Sequence, residues 1–147
     1  MKNLLLFSAL FVSFNTLGLS QSEERPVRVC DKMPKLVECD QEDNVQADRC
    51  TQMTIISTVL DEVIYPEVAK EAGIEGTIYV SFIIEKNGSV SGVKSLRGVG
   101  DSQAALALTE EAVRAVKLLP NFIPGLNEDG DAVRVNMVCP VRFLITK

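Results

Sequence analysis

"GTIYVSFIIEKNGSV", Gly76 to Val90, decides the fold. In an extended chain Ile78, Val80, Phe82 and Ile84 share one face, while Thr77, Tyr79, Ser81 and Ile83 share the other. Asn87-Gly88 is the pair that matches strand twist in a two-residue turn, so the chain is expected to reverse there into "SVSGVKSLR". Downstream, Leu108, Ala112, Ala115 or Val116, and Leu119 are spaced for one buried helical face, which predicts a helix from about Ser102 to Leu119. Asp101 or Ser102 can cap it, and Pro120 ends it. Upstream, "YPEVAKEAGIEG" reads as a short helix that Pro66 opens and Gly73 stops, with Val68, Ala69 and Ala72 as its buried stripe. Before that, "TQMTIISTVLDEV" puts Ile55, Val59 and Val63 on one helical face from Thr51 to Val63, with Ile56 and Leu60 alongside.

The chain closes on "RVNMVCPVRFLI", Arg134 to Ile145. Val135, Met137 and Cys139 alternate with polar Arg134 and Asn136, and then Pro140 interrupts the run. Proline has no N–H for a ladder, so this strand is expected at a sheet edge or with a bulge. The order helix, hairpin, helix, strand buries its apolar stripes most simply as an α+β fold, an antiparallel sheet with helices on one face. The last strand can then pair with the first hairpin strand and leave its own far side open.

Composition narrows the function. The 147 residues are one domain's worth of chain, and 46% hydrophobic with 24% charged residues describe an ordinary globular protein. A net charge of −5 argues against nucleic acid, which needs a basic face, and against an anionic membrane surface. There is no histidine, which removes Ser–His and Cys–His nucleophile activation and every imidazole zinc site.

Residues 1–20 read as an export signal: Lys2, then the apolar run "LLLFSALFVSF" from Leu4 to Phe14, then small Gly18 and Ser20 before Gln21. The apolar run is shorter than the roughly 20 residues of a spanning helix, though an uncleaved anchor is the alternative. Cleavage after Ser20 leaves 14 basic against 20 acidic residues. An exported chain keeps cysteines oxidised, so Cys30, Cys39, Cys50 and Cys139 are expected to form two disulfides. Cys39 and Cys50 bracket the polar loop "DQEDNVQADR", while Cys30 and Cys139 lie in two strand-like runs that could be neighbours. That pairing is preferred, with a four-thiolate zinc site as the rival. Residues 21–50 are then a disulfide-linked extension and 51–147 the domain proper.

Other candidate sites read better as structure. "RGVGDSQA", Arg97 to Ala104, lacks the third glycine and the parallel βαβ context of a dinucleotide loop. "DQEDN", Asp40 to Asn44, has calcium-type oxygens, but Val45 stands where the turn glycine belongs and Thr51 where the bidentate glutamate belongs. Neither the Glu110 and Glu111 pair nor Glu75 and Glu85, which flank a strand, mark a pocket for acid–base work. No catalytic residue, metal or cofactor is expected. What remains is an open strand edge able to bind another chain by adding a strand.

Several motifs in order carry a resemblance: Tyr65-Pro66, Gly73-x-x-Gly76, Asn87-Gly88, the helix "EEAVRAVKLLPNFIPG" with Pro124-Gly125, and "VRVNMVCPVRF". Over Tyr65 to Phe143 the sequence resembles the C-terminal domain of TonB energy transducers, and "MPKLVEC" with Cys39 and Cys50 resembles the leader of cysteine-bearing variants. The resemblance implies two helices packed on a three-stranded antiparallel sheet, here with an extra N-terminal strand or loop segment stapled by disulfides. It implies a non-enzymatic periplasmic module that binds the TonB-box peptide of an outer-membrane TonB-dependent receptor beside the last strand. The edge residues are then Val133, Arg134, Val135, Asn136, Met137, Val138, Cys139, Val141 and Phe143.

Family transducers also carry a membrane anchor and a Pro-rich spacer, and neither is read in this sequence. The expectation is therefore a soluble module that still binds receptor tails, or one that a partner protein carries. A membrane-retained form working with ExbB–ExbD, and a structural or inhibitory domain with a covered edge, are the alternatives. A Cys30–Cys139 bridge would close or redox-gate the edge, and strand exchange into a homodimer is open to any domain with a free terminal strand.

Overall fold

The structure is a computed structural model that describes residues 24–146. The expected export signal and its cleavage point lie outside the described residues. The helices are α1 (Asn44–Glu62), α2 (Glu67–Glu71) and α3 (Gln103–Val116). The strands are β1 (Gly76–Ile84), β2 (Val90–Arg97), β3 (Gly125–Leu126), β4 (Ala132–Val133) and β5 (Val135–Phe143).

Strand β1 is central, in an antiparallel sheet of order β2-β1-β5. Ile78, Val80, Phe82 and Ile84 are all buried, as the period-two reading requires. Their neighbours on β5 are the odd-numbered residues, from Ile84 opposite Val135 to Gly76 opposite Phe143, without a register shift. Leu108, Ala112, Ala115 and Val116 of α3 and Ile55 and Val59 of α1 cover that face. Ser102 caps α3, its hydroxyl accepting from the Ala105 N–H at 3.1 Å. The expected α+β architecture is what the chain adopts.

The hairpin turn differs from expectation. Among the described residues no non-glycine residue has positive φ, so Asn87 does not take part in a two-residue primed turn. The Gly88 N–H donates to the Glu85 carbonyl and the Glu85 N–H to Ser89, which leaves a three-residue loop with Gly88 at φ +85°. Packing favours this form. The Phe122 N–H donates to the Gly88 carbonyl at 2.8 Å, and a Cβ on Gly88 would stand 1.9 Å from the Phe122 oxygen. Only glycine fits there.

The acidic stretch before Thr51 also differs. Helix α1 starts at Asn44, so most of "DQEDNVQADR" is helical. Asp43 caps it, its carboxylate accepting from the Val45 and Gln46 N–H groups at 2.9 and 3.2 Å. Ala47, Thr51, Ile55 and Val59, four residues apart, form its buried stripe. The Cys39–Cys50 disulfide fastens α1 to a 3-10 turn at Val37–Cys39. Lys32 and Lys35 pair with Leu126 and Ile123 through main-chain bonds in both directions. The extension is thus a helix and a paired strap more than a loop.

Candidate strand-addition edge

The sheet has two outer edges. That of β2 is interrupted by two register shifts against β1 and by Gly92 at φ +56°, with Lys94 exposed beside them. Bulges and lysines blunt an edge. The β5 edge is regular.

Which β5 groups face outward follows from one contact. The Val27 N–H donates to the Arg134 carbonyl at 2.9 Å, and the Asn136 N–H donates to the Val27 carbonyl at 2.8 Å. Main-chain groups alternate sides along a strand, so the even residues from Arg134 to Arg142 point away from β1 and the odd ones toward it. Pro140 belongs to the outward set. Its missing N–H therefore costs no bond to β1, and Tyr79 pairs with it in unbroken register. Proline marks the edge here, without a bulge.

Val27 makes an isolated parallel bridge to Val135, and the strap then leaves β5 to reach Leu126. Among the described residues no backbone group pairs with the outward N–H and C=O of Val138, the C=O of Pro140, or the N–H and C=O of Arg142. Val138 is 50% exposed.

The head of the edge is held by charge. The Arg134 guanidinium donates to Glu85 at 2.7 and 2.9 Å and to the Glu24 carbonyl at 2.7 Å. The Ser91 hydroxyl also donates to Glu85, and Lys86 pairs with Glu24. The Arg134 and Ser91 hydrogen bonds hold the Glu85 carboxyl below the usual carboxylate range. The Asn136 Oδ1 is buried and has no partner among the described residues.

Beside the edge lies a groove of about 380 Å³ between β5 and α1. Gln52, Ile55 and Ile56 of α1 and Met33 of the strap form one wall; Met137 and Cys139 form the other, with Arg28 the single charged residue in the lining. Burial pushes the Cys139 thiol up to about 11, so it is neutral near pH 7 and serves as an apolar surface.

The nine sequence-derived edge residues divide into groups. Val133 lies in β4, paired with Gly125. Arg134, Val135 and Asn136 make up the strapped head. Val138 offers main-chain groups, while Met137, Cys139, Val141 and Phe143 bond to β1 and direct side chains toward the helices. Arg142 and the Pro140 carbonyl were missed, although the alternation was sufficient to find them. The groove residues of α1 carry no signal in the sequence, because only folding brings them to β5.

The cysteine pairing needs a correction. Cys39 and Cys50 are bridged, but Cys30 and Cys139 are free thiols. The strap departs from β5 after Val27, which carries Cys30 toward Gly125, 3.0 Å from where a Cβ there would stand. Cys139 meanwhile points into the core at 1% exposure. No disulfide closes the edge.

The other candidates are structural. Glu111 binds Arg114 and accepts from the Ile64 N–H at 2.7 Å, Glu75 accepts from Ile145, and Asn127 accepts from Asp129 and Asp131 within a turn. No cluster of three or more metal-ligating side chains occurs among the described residues.

A family model described as the C-terminal part of the Gram-negative bacterial TonB protein matches residues 61–145. Two NMR solution structures of the Helicobacter pylori TonB C-terminal domain are similar, at 25% and 26% identity. Each covers 65% of this chain, and 80% and 94% of the respective solved chains, with TM-scores of 0.48 and 0.44. No curated protein matches.

Proposed function

The chain belongs to the TonB C-terminal domain family, a family of non-enzymatic energy-transducer modules, and on that premise we propose that its β5 edge binds the TonB-box peptide of an outer-membrane TonB-dependent receptor by strand addition. The observation that carries the reading is the open row at Val138, Pro140 and Arg142, on a strand in regular register with the sheet. Unpaired main-chain groups select an extended backbone and are nearly indifferent to its sequence. Each bond adds about 1 kcal/mol net, so capture is reversible.

In this reading residues 1–20 direct export, cleavage follows Ser20, and the extension and domain work together in the periplasm. Among the described residues no helix is long and apolar enough to cross a membrane. Force from an ExbB–ExbD motor would reach the module only through an uncleaved anchor or a partner protein. The Val27 contact favours partial covering of the edge, limited to its head.

Titrating the full chain with N-terminal receptor peptides, followed by amide chemical shifts, tests the proposal. Shifts at the Val138 and Arg142 amides with saturable, sub-millimolar binding are expected. Binding confined to the β2 side, or none, would overturn it.

A further inference from the structure

We infer that the part of the chain preceding the family-matched residues 61–145, through Gln52 and Ile56 of α1 and Met33 of the strap, forms a selectivity wall for the strand added to β5, accepting aliphatic side chains at two alternate positions. The inference rests on the strand addition proposed above and goes beyond it in assigning side-chain preference.

The occupant follows from the groups bordering the groove. Val138 and Arg142 present main-chain donors and acceptors that are unpaired among the described residues, and another backbone satisfies them in register. Residues directly opposite in paired strands share a face. Visiting residues opposite Val138 and Pro140 therefore point to the uncovered face of the sheet. Those opposite Met137 and Cys139 point to the helix side, where the groove of about 380 Å³ lies.

That groove is continuous with the edge, because Asn136 to Pro140 line it directly. Its far wall is mostly uncharged: Ile55 is buried, Ile56 and Met33 are half-buried, Gln52 is neutral, and Arg28 of the strap is the one charged residue in the lining. Methionine at Met33 and Met137 adapts to branched or linear aliphatic groups. Main-chain pairing supplies general affinity there, and the α1 wall adds a preference that β5 alone does not have. The Cys39–Cys50 bridge and the strap pairings fix that wall in place.

Two synthetic strands of equal length test this against the oxidised full chain, one alternating Leu with Thr and one of Thr alone. The expected result is about tenfold tighter binding of the Leu strand, with amide shifts from both at Val138 and Arg142. Ile56→Asp should reduce that preference to within about twofold, with the amide shifts at Val138 and Arg142 still produced by both strands. Gln52→Glu, at an exposed position, should weaken the preference in the same direction and serves if Ile56→Asp does not fold. Equal affinities in the unmodified chain, with edge shifts intact, overturn the selectivity wall and leave strand addition standing. A preference that survives both substitutions also overturns it. Absence of edge shifts with either strand overturns both readings.

Discussion

Glu85 is the residue on which the head of the edge turns. It receives Arg134 through two nitrogens and Ser91 through its hydroxyl, and Arg134 in turn holds the Glu24 carbonyl of the strap. A carboxyl whose folded pKa lies below its unfolded value near 4.5 contributes stability that is present above that value and lost as pH falls through the folded one. Acid should therefore loosen the strap first. As the pH falls below that unfolded value, the Asn136 amide, which donates to Val27, should exchange progressively faster with solvent relative to amides in the centre of β1. Glu85→Gln should remove most of that pH dependence and cost on the order of 1–2 kcal/mol at neutral pH, because Arg134 and Ser91 lose a charged acceptor while keeping a neutral one. Amide exchange by NMR between pH 3 and pH 7 on both proteins checks this. A strap that stays protected throughout would show that the Val27 main-chain bonds hold without the Glu85–Arg134 pair.

Helix α1 owes its position to its connections more than to its own sequence. Its exposed side carries Val45, Met53 and Leu60, so the apolar residues do not concentrate on the core face. The stripe Ala47, Thr51, Ile55 and Val59 reaches the core, and the Cys39–Cys50 bridge fixes the first half of the helix. Reduction should thus lower stability by about 3 kcal/mol, the value for closing so short a loop, with the first effects at Asn44 to Cys50. Urea unfolding with and without reductant measures it, and amide exchange locates it. Thiol labelling of the native protein should meanwhile reach Cys30 and spare Cys139, which is 1% exposed. These elements also show what was legible in the sequence. The β1 stripe, the last strand and the α3 face follow from periodicity, since each buries one face against the same core. Most of "DQEDNVQADR" was hidden because a polar, capped first turn reads as loop until Asp43 is seen to hold its amides. The Cys30–Cys139 pairing failed for a related reason. Strand-like runs do not reveal where a partner peels away.

At the scale of the molecule, the fold places one of its own residues, Val27, on the β5 edge, where it would compete with the strand addition proposed above. Val27 runs parallel to β5 and occupies the position beside Val135, while Glu24 is tied to Arg134 and Lys86. A visiting strand that pairs only with Val138 to Arg142 displaces no main-chain bond among the described residues, but a longer one must lift Val27 off Arg134 and Asn136. Two main-chain bonds at about 0.5–1.5 kcal/mol each set the main-chain part of the cost, which reduces the affinity of a long peptide without touching a short one. Val27→Pro removes the N–H that donates to the Arg134 carbonyl and leaves the sheet, the disulfide and the groove in place. The long peptide should then bind about tenfold tighter, and the short one within about twofold of its original affinity. The Asn136 amide should lose its protection before any peptide is added. Calorimetry with a matched pair of peptides, one reaching Val135 and one ending at Val138, separates the cases. Equal gains for both would mean that the substitution opens the whole edge, and no gain for either would mean that the strap never competes for it.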